Sequence, residues 1–207
     1  YMIGKLNEKS LHNDIKEWIF EEGDMVESKV GSYVIDIVRD DLLIEVQTGN
    51  FGAISSKVCS LLDDHPVMVV YPIAKKKWIV QVDRETGELR GRRKSPKEDL
   101  PVSIFKEMLR IPSLINNHNF TLDILMTHQE ELRCDDGKGS WRRRGVSIID
   151  RRLIEVVGRY RFERAEDFLA FLPAGIKQPF TNKNLADVMS IRLSLARKVS
   201  FTLKKMG

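Results

Sequence analysis

The stretch Val34-Ile35-Asp36-Ile37-Val38-Arg39-Asp40-Asp41-Leu42-Leu43-Ile44-Glu45-Val46-Gln47 decides how this chain is read. Two β-prone runs flank the short polar turn Arg39-Asp40-Asp41. Side chains alternate along a strand, so Glu45 and Gln47 share one face and Ile44 and Val46 the other. Asp36 stands in mid-strand among apolar neighbours, a costly place for a carboxylate without a partner. A hairpin through the turn brings Asp36 beside Glu45. Two carboxylates that close repel each other in a partly dry site, and a divalent cation is the simplest relief. Hard oxygen ligands at an open site favour Mg²⁺ or Mn²⁺. The plain alternative is an Asp36 paired with Arg39 near the hairpin end.

Outward from this hairpin the pattern predicts further elements. Residues 7–21 read as an amphipathic helix with Leu11, Ile15, Trp18 and Ile19 on one face, stopped by Gly23. Strands are predicted over 25–29, 33–38 and 42–47. A second helix, capped by Asn50 or Ser55, carries Phe51, Ile54, Val58, Leu61 and Leu62 and ends at His65-Pro66. Two strands follow, 67–73 and 78–82, and the unbroken apolar run 67–71 predicts a strand covered on both faces.

This order of elements, with Asp36 on one strand and Glu45-Val46-Gln47 on the next, resembles the PD-(D/E)XK nuclease superfamily over roughly residues 5–83. The resemblance implies an α/β, restriction endonuclease-like αβββαββ core that hydrolyses phosphodiester bonds. It implies that Asp36 and Glu45 hold Mg²⁺ or Mn²⁺, that Gln47 orients the attacking water, and that Glu8 on the leading helix assists. His12 lies one turn beyond Glu8. Two departures stand out: Gln47 occupies the family's usual lysine position, and Ile35 the proline position before the Asp. Lys57, on the second helix, is a candidate to supply the missing charge.

The remainder divides into a basic linker over 84–100 and a second domain over 101–207, with residues 1–83 forming the nuclease-like domain. A strand is predicted at 120–126, a turn at 135–140, a basic segment at 141–152, and helices at 165–172, 182–189 and 193–205. The last two helices, with Ala186 at their crossing and a short turn between them, resemble a winged helix-turn-helix unit, which implies a mainly helical C-terminal domain. Arg192, Arg197 and Lys198 lie off its apolar stripe, where they would meet phosphates or a major groove. Trp141-Arg142-Arg143-Arg144 sets an aromatic beside three guanidinium groups, suited to a phosphate backbone and a stacked base. The alternative is a solvated loop with Trp141 tucked into the core.

Charge distribution points the same way. The net charge of +4 is small, but residues 1–30 sum to −3, 141–164 to +5 and 177–207 to +6. A basic C-terminal half suggests a polyanionic partner, DNA first. With 42% hydrophobic residues the chain holds enough apolar material for a folded core. No apolar run is long enough for a membrane span, and no secretory signal follows the first residues, so a cytoplasmic location is expected. Cys59 and Cys134 stand far apart without companions, which argues against a disulfide framework. The expected activity is a metal-dependent DNA endonuclease or resolvase. The alternative is a catalytically inactive nuclease-fold adaptor that binds DNA or a protein, the latter through the winged-helix-like part. A homodimer is also among the expected assemblies.

Overall fold

A computed structural model of the chain describes residues 10–177 and 179–207. It is a mixed α/β protein whose seven strands are β1 (Met25–Val30), β2 (Tyr33–Arg39), β3 (Leu42–Val46), β4 (Val67–Val82), β5 (Leu89–Lys94), β6 (Phe120–Asp135) and β7 (Val146–Phe162). They hydrogen-bond in the order β1-β2-β3-β4-β6-β7, with β5 also pairing to β4. The helices are α1 (Ser10–Ile19), α2 (Ser55–Leu61), α3 (Phe105–Met108), α4 (Asn182–Val188) and α5 (Leu193–Met206). No helix among the described residues is long and apolar enough to cross a membrane. By internal contacts the chain forms two units. One comprises residues 1–21, 72–100 and 125–159, the other 22–71, 101–124 and 160–207.

The second unit contains the hairpin. β1, β2 and β3 form an antiparallel meander, with Ile37 opposite Ile44 and Arg39 opposite Leu42. The β2–β3 turn is tight because Asp40 takes a left-handed conformation (φ 50°), which Asp tolerates better than most residues. β3 then pairs in parallel with the start of β4, Leu43 opposite Val67 and Val46 opposite Val70. A parallel pair needs a crossover, and α2 supplies it. As expected for a strand covered on both faces, Val67 to Val70 are almost fully buried. Arg39 Nε and Nη2 each donate to Asp24 at 2.8 Å. Further along the chain in the same unit, Phe105, Phe162, Phe168 and Phe171 pack edge-on and stacked at 4.5–6.2 Å. Thr181 opens α4 with a reciprocal cap to Asn184.

In the first unit α1 buries Leu11, Ile15 and Ile19. Trp18 is instead half exposed, with the Arg159 guanidinium 5.9 Å from its ring centroid. Ser10 Oγ donates to Asp150 (2.8 Å), and the Leu153 amide donates to Asp14 (2.8 Å), tying α1 to β7. The predicted 67–73 and 78–82 strands are one continuous β4, since Ala74 to Lys77 contain no turn former. Residues 89–94, expected within a linker, form β5. All six of its side chains are exposed, so it carries no apolar signature. The expected basic segment at 141–152 is a short 3₁₀ turn (Trp141–Arg143) followed by β7. Residues Ala165–Phe171 form a 3₁₀ rather than an α-helix.

Candidate functional site

Three elements of the second unit converge on one charged cluster. Asp36 comes from β2, Glu45 from β3 and Lys57 from the first turns of α2. The β2–β3 ladder runs from Arg39–Leu42 to Ile37–Ile44, and Asp36 and Glu45 are the residues next beyond its end. The Asp36 carboxylate accepts the Val46 amide at 2.9 Å, and the Asp36 amide reaches Glu45 Oε1 at 3.4 Å. Each acid is therefore anchored to the other's strand. Lys57 Nζ donates to Glu45 Oε1 at 2.6 Å and to the Val34 carbonyl at 2.5 Å. Its stem crosses from α2 to the β2–β3 hairpin because Ile54, Val58 and Leu61 fix the inner face of the helix, and Val58 and Leu61 are buried.

Glu45 is only 5% exposed. Burial pushes its carboxyl above the ordinary 4.5, the Lys57 hydrogen bond pulls it back, and the nearby Asp36 charge raises it again, for a net upward shift. Glu45 Oε2 makes no hydrogen bond to any described residue.

Gln47 sits just past β3, where its backbone amide continues the ladder to the Val70 carbonyl (2.9 Å). Its side-chain Nε2 donates to the Asn50 carbonyl (2.8 Å), fixing the bend after the strand. Asn50 caps the following 3₁₀ turn through Gly52, and the Phe51 amide donates to Glu107 on α3 at 3.3 Å. Glu107 carries no sequence signal for this role, being 56 positions from Phe51. Glu8 lies outside the described residues. His12 belongs to α1 of the first unit. Among the described residues no group of three or more His, Cys, Asp or Glu side chains converges in metal-ligand geometry.

The basic residues fall in two places. Arg192 is the N-cap of α5, and Arg197 and Lys198 lie within it in the second unit; Arg192 and Arg197 are exposed, and none of the three pairs with an acid among the described residues. Arg142, Arg143 and Arg144 follow Trp141 in the β6–β7 connection of the first unit. Arg143 is spent on its own loop, its Nε donating to the Val146 carbonyl at 3.1 Å. Trp141 is not in a core; it is 83% exposed.

A family model described as a domain of unknown function (DUF8091) matches residues 9–163. A protein of Treponema pallidum (strain Nichols), described as uncharacterized, is 34% identical over 176 residues, covering 83% of this chain and 70% of that protein. No solved structure matches the chain.

Proposed function

We propose that this chain, which belongs to the DUF8091 family, is a metal-dependent phosphodiester hydrolase with its site at Asp36, Glu45 and Lys57. The observation that carries the reading is the meeting of two carboxylates from adjoining antiparallel strands with an ammonium from the crossover helix. The meander leading through α2 into a parallel β4 supports the PD-(D/E)XK likeness, and Lys57 answers its main departure, the Gln47 at the usual lysine position.

The donor set fits a hard divalent cation. Asp36 and Glu45 are oxygen ligands held side by side, and Glu45 Oε2 has no hydrogen bond to the described residues. Mg²⁺ and Mn²⁺ accept one or two carboxylates and complete their shells with water and substrate oxygens, so two protein ligands suffice. When bound, such an ion supplies Lewis-acid polarisation of a phosphoryl oxygen and a more acidic bound water. The chain's own residues do the rest. Val46 N–H fixes the Asp36 carboxylate, and Lys57 holds Glu45 Oε1 so that Oε2 is the oxygen presented. With a phosphodiester bound, the Lys57 ammonium would be the nearby cation able to favour charge developing on the phosphoryl oxygens. Gln47, the expected water-orienting residue, uses its side-chain amide to bond the Asn50 carbonyl.

The test is cleavage of labelled duplex, single-stranded, flap and junction DNA with Mn²⁺ or Mg²⁺, comparing wild type with Asp36→Ala and Glu45→Ala. Cutting that disappears in both variants is expected. Cutting that survives both, or no cutting by wild type on any substrate, removes the catalytic assignment and leaves the adaptor reading, in which Lys57 satisfies Glu45 without a metal.

A further inference from the structure

Trp141 is the most exposed large apolar side chain among the described residues, at 83%. Its exposure does not come from a dangling loop. Between β6 and β7 the Gly139 amide donates to the Gly145 carbonyl (2.7 Å), and the Arg143 and Arg144 amides close onto Ser140 (2.9 Å) and Trp141 (3.0 Å). Asp136 Oδ1 accepts both the Lys138 amide (2.9 Å) and Ser147 Oγ (2.8 Å). A Cβ at Gly139 would lie 1.9 Å from the Val146 carbonyl oxygen, so only glycine lets the two sides of the loop meet. Arg144 is held at φ 53°, a conformation that arginine adopts only where its surroundings impose it. The frame is tied at both ends, and it holds an indole out into water.

What surrounds the indole is cationic. The Arg142 guanidinium lies 5.5 Å from the Trp141 ring centroid. Arg144 is exposed and makes no ion pair with a described residue. More widely, this unit holds 20 Lys and Arg against 15 Asp and Glu, whereas the other unit holds 14 against 15. A rigid, exposed indole with one guanidinium over its ring and an exposed arginine three residues on is the chemistry that binds an unpaired nucleobase together with its phosphates. In a duplex the bases are stacked on one another, and their faces are closed to such a side chain.

We infer that the Trp141 loop, with Arg142 and Arg144, is a binding site for single-stranded nucleic acid, in which Trp141 stacks on an unpaired base. The inference takes the phosphodiester substrate of the preceding section as given and names its class: a strand with unpaired bases, whether free, flapped or at a junction. Binding here needs no metal, so it is measured in EDTA, where the cleavage reading plays no part.

The probe is fluorescein-labelled (dT)₂₀ set against a blunt duplex of the same length, read by anisotropy for wild type, Trp141→Ala and Trp141→Phe. Wild type is expected to bind the single strand more tightly than the duplex. Trp141→Ala should weaken single-strand binding by about 5- to 150-fold, the scale of one base–aromatic stack. Duplex binding should change by less than about twofold, and Trp141→Phe should restore most of the loss. Because Trp141 lies outside any core, the thermal midpoint should not move. Equal affinity for the two probes, an unchanged Trp141→Ala, or an equal loss on both probes would overturn the inference. So would a concentration-dependent dimer that Trp141→Ala dissolves while (dT)₂₀ binding stays unaffected. Loss of cleavage in Asp36→Ala with (dT)₂₀ binding intact supports both readings, whereas no cleavage by wild type with intact binding sinks only the nuclease.

Discussion

The Lys57–Glu45 contact can be made to report whether the site is a balanced charge cluster or an incidental ion pair. In Lys57→Met the side chain keeps its length and apolar stem but loses the ammonium that bonds Glu45 Oε1 and the Val34 carbonyl. The lysine side chain is 20% exposed and the glutamate 7%, so the pair lies between a solvated surface contact and a dry one. Exposed pairs contribute about 0–1 kcal/mol, and breaking a buried one costs about 3–5. An intermediate loss of about 2 kcal/mol is expected, which is close to that of one charged hydrogen bond. Glu45→Gln should cost less, about 1 kcal/mol or under. The amide still accepts from Lys57, and removing the Glu45 charge relieves its repulsion from Asp36. The ordering of the two variants therefore carries the argument. Urea melts of both single variants and the double variant close a cycle whose coupling should reach about 1–2 kcal/mol at unchanged m-value. A Lys57→Met loss below about 0.5 kcal/mol, or one smaller than that of Glu45→Gln, would show that the ammonium does not balance the two acids. In the cleavage assay the same variant should lose about a hundredfold in kcat, as removal of a transition-state donor does.

Three further outcomes follow from the geometry. Glu131 is 1% exposed and contacted by Lys77 (3.1 Å), Arg133 (2.5 Å) and Arg151 (3.4 Å); burial pushes its carboxyl up, but the Lys77 charge and the Arg133 and Lys77 hydrogen bonds outweigh that and hold it below the usual 4.5. A carboxyl lowered on folding stabilises above its unfolded value and loses that contribution as pH falls through its folded one. Wild-type stability should therefore drop below about pH 4.5, and in chemical melts across pH Glu131→Gln should be about 1–3 kcal/mol weaker at pH 7 with a flatter acid limb. Gly139→Ala sets a methyl against backbone, and a stability loss of about 1–3 kcal/mol is expected by thermal melting, with weaker (dT)₂₀ binding if the loop rearranges. Replacing Arg192, Arg197 and Lys198 by Ala should leave stability nearly unchanged while lowering the salt slope of duplex binding by about one for each phosphate no longer neutralised, and an unchanged slope would remove α5 from any DNA surface.

The hairpin was legible because its evidence is local. Alternation, a two-residue polar turn and a stranded acid in an apolar run together fix the register that sets Asp36 against Glu45. The covered strand at 67–70 was legible for the same reason, since four consecutive apolar residues leave no solvent face. Lys57 was visible only as a candidate, because its approach to Glu45 depends on how α2 lies over the sheet. Glu107 was invisible, its contact with Phe51 being made across 56 residues. β5 and most of β7 were missed because they do not carry the apolar face by which strands are recognised. β5 is exposed at every position and stays in the sheet through backbone pairing to β4, with Arg92 lying 4.8 Å from the Trp78 ring centroid and bonding Glu130 at 2.6 Å. The two units were hidden for a further reason: each is drawn from three separate segments, and β4, β6 and β7 contribute to both.

The charge pattern gains meaning once it is divided by fold rather than by position along the chain. Segment 22–71, which holds Asp36 and Glu45, has nine acids against Lys29, Arg39 and Lys57. The unit to which it belongs is nearly balanced, with 14 Lys and Arg against 15 Asp and Glu, and within the segment Arg39 pairs with Asp24 and Lys57 with Glu45. The acidic segment by itself favours cations over a polyanion. If both proposals hold, metal and nucleic acid are recruited by different residues: Asp36 and Glu45 for the one, Trp141, Arg142 and Arg144 for the other. The metal dependence of cleavage and the salt dependence of binding should accordingly separate on mutation: Asp36→Ala abolishes the first without altering the second, and Arg142→Ala with Arg144→Ala weakens the second while leaving Mn²⁺ affinity unchanged.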